Sequence, residues 1–341
     1  MASPSMKSGS NTTPGVPPSG APVSGAERFG APRSGAAPPN PPPLLPELEE
    51  LLVLRGVAQG LAVSARRSAR VLSPGAHQSV QRGRGLEFQE VRSYVPGDDP
   101  RSIDWRVTAR RGRPHTKLFR EERERPVWLV IDLNPALYFG TRHQLKSAVV
   151  VRAAALLAWV TSLGGDRVGA VIANGAGCRV LPPRSRDAGV LPLLSALVEL
   201  QPRAPGSPAL ESLQSAVHAL LRVVRPGSLV LVISDFAALG GAAHAPWSAL
   251  GAHTTCRLFW VCDPIEERAL PNGRFRVGLP DRLRLLDGAR VRERWLESWR
   301  RRQSEVEALA RLLAAPVARL DTREPVQTTL TTELGRARWL A

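Results

Sequence analysis

Residues 228–236 read SLVLVISDF: five consecutive apolar side chains, Leu229 to Ile233, closed by Ser234, Asp235 and Phe236. A short unbroken apolar run of this kind suits a strand buried on both faces, as the central strands of a parallel sheet are. Working outward, the same character recurs in WLVIDL (128–133), RVGAVIA (167–173), TTCRLFWVCD (254–263) and VARLD (317–321). Helical periodicity fills the intervals at 141–163, 186–200, 208–225, 244–252 and 291–315, and a closing helix is expected after Pro325. Strand and helix alternating in this way predict an α/β fold. The expected architecture is a doubly wound, mostly parallel, Rossmann-like sheet with helices on both faces, spanning 127–341.

Upstream the character changes. Residues 73–126 are dense in charge and turn residues, with short extended pieces LEFQEVRSY (86–94) and HTKLFREE (115–122). They predict a small β-rich extension beside the main domain. Residues 44–72 read as a helical lead-in with Leu44, Leu45, Leu48, Leu51, Leu52 and Leu54 along its apolar side. Residues 1–43, rich in Pro, Gly, Ser and Ala, hold too few large apolar groups to offset their ordering entropy and are expected to be a disordered tail.

Composition narrows the class. The chain has 341 residues and a formal charge of +16, from 46 Lys+Arg against 30 Asp+Glu. The Arg residues are spread along the chain and mixed with acids, and aromatic residues make up only 5%, so no nucleic-acid partner is expected. Cys178, Cys256 and Cys262 form no C-x-x-C pair and sit in or beside apolar runs, which predicts neither a disulfide framework nor a zinc site. No secretory h-region is visible near the start. The longest apolar stretch, Ala148 to Val160, is interrupted by Arg152 and reads as too short to span a bilayer. A cytoplasmic protein is expected, with peripheral membrane contact left open.

Ligands of open α/β sheets sit beyond the carboxyl ends of the strands. Asp132 and Asp235 fall at two such ends. Two converging carboxylates would suit a hard divalent cation, or each could cap the following backbone. No nucleophile elbow, phosphate loop or dinucleotide fingerprint occurs, so no catalytic constellation is expected. The block Asp98-Asp99-Pro100-Arg101-Ser102-Ile103-Asp104-Trp105 could form a charged recognition surface, or a buried polar network docking the β-rich extension. The second reading is the expectation, with Trp105 as packing. The Arg/Glu-rich helix at 291–315 reads as solvated, with Trp295 and Trp299 on a stripe facing the core.

The stretch GRGLEFQEVRSYVPGDDPRSIDWRVTARRGRPHTKLFREERERPVWLVIDL, with FGTR (139–142), LKS (145–147), Gly-Asp-Arg (165–167) and Asp-Pro (263–264), resembles the domain of unknown function 58 family. Its signature positions here are Gly97, Asp98, Asp99, Arg101, Asp104, Trp105 and Arg106. The resemblance implies a von Willebrand factor A-like domain with a metal-ion-dependent adhesion site for Mg²⁺. Carried over, that site consists of Asp132, Asn134, Ser207 and Asp235, and is degenerate because Ala136 stands at a ligand position. The resemblance also implies a bacterial accessory or adaptor of a MoxR-type AAA+ ATPase, acting with other von Willebrand factor A proteins in assembly, maturation or envelope stress. The rival readings are a metal-dependent hydrolase at Asp132 and Asp235, and a nucleic-acid-binding protein.

Overall fold

The computed structural model describes residues 44–71, 86–95, 98, 100–121, 125–239, 244–279 and 282–336. The expected disordered tail and the signature positions Gly97 and Asp99 lie outside the described residues. Helix α1 (Leu48–Val71) is followed by strand β1 (Leu86–Ser93), a 3-10 turn at Pro100–Ser102, a short helix α2 (Trp105–Arg111) and strand β2 (His115–Glu121). Next come β3 (Pro126–Asp132), α3 (Lys146–Gly164), β4 (Arg167–Ala173), β5 (Cys178–Ser185), α4 (Asp187–Leu200), α5 (Ser212–Leu221) and β6 (Leu229–Ser234). The chain continues through α6 (His244–His253), β7 (Thr255–Cys262), α7 (Pro264–Arg268), β8 (Arg274–Leu279) and β9 (Arg282–Asp287). It closes with α8 (Gly288–Leu312), β10 (Val317–Asp321) and α9 (Val326–Arg336).

Six strands form one sheet in the order β10-β7-β6-β3-β4-β5. All neighbours pair in parallel except β5, which runs antiparallel to β4. Numbered along the chain, these strands run 3-2-1-4-5-6, the doubly wound order, with the reversal between β3 and β6. That reversal opens a crevice at the two carboxyl ends where Asp132 and Asp235 sit. The sheet separates two apolar layers by simple alternation. Val127, Leu129 and Ile131 of β3 face α1, α3, α4 and α9, whereas Trp128 and Val130 face α5, α6 and α8.

Helix α3 is apolar all round because it is covered all round. Every residue from Lys146 to Thr161 is buried, with the sheet beneath and α1 above. By length and composition this 19-residue helix could cross a bilayer, contrary to the expectation from the interrupted run; here 83% of that span is buried in the protein. Arg152 within it is held by Glu50 of α1 and by Gln144, and the Trp159 indole donates to the Leu51 carbonyl at 3.0 Å. The buried face of α1 also differs from the expected leucine stripe. Leu51, Ala58, Leu61 and Ala62 are buried, whereas Leu44, Leu48 and Leu52 are exposed.

Two strand pairings were not foreseen. Strand β5 alternates exposed and half-buried residues and contains Pro182 and Pro183, which an edge strand tolerates. Opposite it the ladder shifts between Val168 and Ala170, and a Cβ on Gly169 would lie 2.7 Å from the Leu181 carbonyl, so only glycine admits this approach. The second is the antiparallel hairpin β8–β9, whose Arg-rich strands leave Leu283 and Leu285 exposed.

Candidate functional site

The first acid, Asp132, ends β3 and is buried. Its Oδ1 accepts the Asn134 N–H at 3.1 Å and its Oδ2 accepts the Ser234 hydroxyl at 2.8 Å, which ties the ends of β3 and β6 together. Burial and the neighbouring Asp235 push its carboxyl up to about 7, against the help of the Ser234 hydroxyl and the Asn134 amide. Asn134 follows in a 3-10 turn over Pro135–Leu137. Its Oδ1 accepts the N–H groups of Ala136 and Ala209, and its Nδ2 donates to the Ala209 carbonyl at 2.9 Å. Asn134 therefore pins the 206–209 loop onto this turn. Gly206 permits that contact, since a Cβ there would meet Pro135 at 2.4 Å.

Asp235 follows β6. Its Oδ1 accepts the Ala237 N–H at 3.0 Å and its Oδ2 meets the Lys146 ammonium at 2.5 Å. Burial works against its charge, yet Lys146, and beyond it Arg302, hold its carboxyl below the usual range. Phe236 beside it is fully buried with a φ of 52°, a left-handed conformation that stores roughly 1–3 kcal/mol of strain in a bulky residue. The Phe236 N–H donates to the Ser234 hydroxyl at 2.9 Å, which holds this turn at the site.

Lys146, the first residue of α3, joins the two halves of the site. It is buried, and its ammonium reaches Glu266 of α7 at 3.1 Å as well as Asp235. Burial alone would lower its pKa, but Asp235 and Glu266 raise it, so it stays charged. Glu266 also accepts from Arg302 of α8 at 2.7 Å, and from the Asp263 N–H in the capping box of α7. Asp263 is fully buried and accepts from Thr141 N, Thr141 Oγ1, Thr322 Oγ1 and Ile265 N. Those bonds fix the 139–142 turn, whose Phe139 carbonyl accepts the Lys146 N–H at 2.7 Å.

Above these charges lies a cavity of ≈ 500 Å³ at the carboxyl edge of the sheet. Ala136, Phe139, Lys146, Asp235, Glu266 and Arg302 line it together with Pro208, Arg294, Trp295 and Trp299. Trp299 stacks on Trp260 at 4.9 Å between ring centroids, and the Trp295 indole donates to the carbonyls of Ile265 and Glu266. The stripe on α8 thus has two roles: Trp299 packs against Trp260 in the core, and both Trp299 and Trp295 wall the cavity.

The structure brings Asp132, Asn134 and Asp235 together, as the sequence suggests, and leaves Ser207 exposed on the 206–209 loop. Lys146, Glu266, Arg302 and Asp263 belong to the same cluster and escaped the sequence reading. The Leu-Lys-Ser and Asp-Pro motifs contained two of them, without a signal that they converge.

The signature block departs from its expected role. Asp98 accepts the Val95 N–H at 3.0 Å and pairs with Arg92 at 2.7 Å. Asp104 caps α2, accepting from Arg106 N and Val107 N, and Gly112 ends that helix with a φ of 69°. Trp105, expected to pack, is 70% exposed, and α2 has no buried residue. A helix capped at both ends keeps its shape without a core face, and the signature leaves Trp105 exposed, as are Arg101, Arg106, Arg110, Arg111 and Arg113 near it in sequence. Cys178 is likewise exposed, unlike buried Cys256 and Cys262.

Residues 90–305 match the family described as "Protein of unknown function DUF58". Uncharacterized proteins of Mycobacterium tuberculosis and Mycobacterium bovis are 39% identical over 162 residues, 48% of this chain and 50% of theirs. The chain thus spans about half the length of the curated relatives it matches. Among solved structures, the conserved hypothetical protein BatB of Bacteroides thetaiotaomicron is similar over 62% of this chain and 100% of its own, at 13% identity and a TM-score of 0.39. A von Willebrand factor type A protein of Catenulispora acidiphila is similar over 66% of this chain and 44% of its own, at 11% identity and a TM-score of 0.39.

Proposed function

The chain belongs to the DUF58 family, and we propose that it serves there as a non-catalytic protein-interaction module working through the carboxyl edge of its sheet. The observation that carries this reading is the ≈ 500 Å³ cavity over Lys146, Asp235, Glu266 and Arg302, walled by Trp295. Aromatic and Arg side chains around a partly desolvated pocket are the groups that dominate protein–protein recognition. Arg294 at the rim has no ion-pair partner among the described residues, so an acidic group on the partner is the complement. A MoxR-type AAA+ ATPase is the partner the family resemblance implies, in a cytoplasmic setting. The hydrolase reading is less well supported, because Asp235 is committed to Lys146 and no His lines the cavity.

The test is capture from the native cytoplasm on the tagged full chain, beside an Arg294→Glu, Trp295→Ala variant. Recovery of an AAA+ ATPase by the wild type and its loss with the variant is the expected result. Equal recovery by both would move the interface elsewhere, and recovery of no ATPase would remove the adaptor role.

One observation favours a second reading, contact with nucleic acid. Exposed Trp105 offers a stacking ring, and five arginines near it in sequence are exposed as well. Retention of single-stranded DNA that falls steeply with salt and weakens in Trp105→Ala is its signature. Retention unaffected by that substitution would end it.

A further inference from the structure

We propose that Lys146 is the resident cation of the site: its ammonium takes the Asp235 oxygen that would otherwise be offered to a divalent ion, and no metal ion binds there. The donor set carries the argument. Mg²⁺ demands near-octahedral oxygen donors at roughly 2.0–2.1 Å. Of the four positions implied for it, the three buried ones already accept a hydrogen bond at every side-chain oxygen, and the fourth, Ser207, is exposed. Asp235 gives Oδ2 to the ammonium and Oδ1 to the Ala237 N–H. Asp132 gives one oxygen to the Asn134 N–H and the other to the Ser234 hydroxyl. The Asn134 amide oxygen already accepts two backbone N–H groups. Ser207 is exposed on its loop, and Ala136 has no side-chain oxygen. Among the described residues, no group of three or more His, Cys, Asp or Glu is arranged to hold a metal ion.

Lys146 is not a displaced surface side chain that an ion could push aside. Its side chain is 3% exposed, its ammonium is shared between Asp235 and Glu266, and its backbone is fixed at the head of α3 by the Phe139 carbonyl. A divalent ion beside Asp235 would meet a fixed positive charge instead of an empty anionic site. The lysine thus offsets the charge of Asp235 without a metal. A partner bound there, on the interaction reading above, would stay bound in EDTA; the assignment of the cation itself does not depend on a partner.

The experiment titrates Mn²⁺ into the full chain, without partner, and follows the free ion by electron paramagnetic resonance. The expected result is no uptake in the millimolar range by the wild type or by Asp235→Asn. Uptake of one ion by the wild type, lost in Asp235→Asn, would overturn the proposal. A second arm uses thermal melting. Lys146→Met should lower the midpoint by leaving Asp235 unpaired, and adding Asp235→Asn should recover part of that loss; no recovery would overturn the assignment. If Lys146→Met does not fold, the Mn²⁺ titration decides alone.

Discussion

Asp263 accepts both the backbone N–H and the hydroxyl of Thr141, 122 residues earlier in the chain, and through that pair β7 fixes the turn that delivers Lys146. Removing the buried carboxylate strands several donors at once. Asp263→Ala is expected to cost about 2–4 kcal/mol, whereas Thr141→Val, which removes one donor, should cost about 1 kcal/mol. Chemical denaturation of both variants checks the order. Equal losses would mean that Thr141 carries the whole effect.

Asp132 should make stability depend on pH in the less common direction. Its carboxyl titrates near 7 when folded, against an ordinary value of 3.8. The folded state therefore binds the proton more readily, and stability falls as pH rises from about 4 to about 7. Asp235 and Asp263, both held below the usual range, contribute the opposite slope only below about pH 4. The wild-type melting midpoint is expected to drop as pH rises from about 5 to about 7, inside that window. Asp132→Asn should flatten that drop. A constant gap between the two proteins across this range would show that Asp132 titrates normally.

The signature block should separate into a structural half and a recognition half. Asp104→Ala removes the cap of α2 and is expected to cost about 1 kcal/mol. Trp105→Ala, at a side chain 70% exposed, should change stability by less than about 0.5 kcal/mol. Calorimetric melting of the pair decides, and a larger loss for Trp105 would place its ring in a contact.

Gly140 is a third point of constraint. A Cβ there would lie 2.3 Å from the Gln144 carbonyl oxygen, so Gly140→Ala must shift the turn that carries Phe139 and Thr141. The expected loss is about 2 kcal/mol or more. A near-neutral substitution would mean that the turn yields without disturbing Lys146.

Much of the sheet could be read from the chain alone because its central strands are buried on both faces and become unbroken apolar runs; RVGAVIA at 167–173 coincides with β4. Strand β5 escaped because an edge strand with two prolines lacks that run, and β8–β9 because alternating Arg reads as solvated loop. For the site, Asp132 and Asp235 were visible as acids closing apolar strands. Lys146 was not, since a lysine opening a helix ordinarily points to water, and nothing local announces that Glu266 and Arg302 arrive from 120 and 156 positions farther on. Trp105 misled for a related reason: a large aromatic ring in a dense motif suggests packing, but capping chemistry let α2 stand without a buried face.

The blanket that α1 lays over α3 has a consequence for how this domain chooses its surroundings. Helix α3 carries a composition that hydrocarbon would accept, and α1 covers one side of it, fastened by Glu50 to Arg152 and by the Leu51 carbonyl to Trp159. If that cover peels away, an apolar face of α3 long enough to cross a bilayer is laid open.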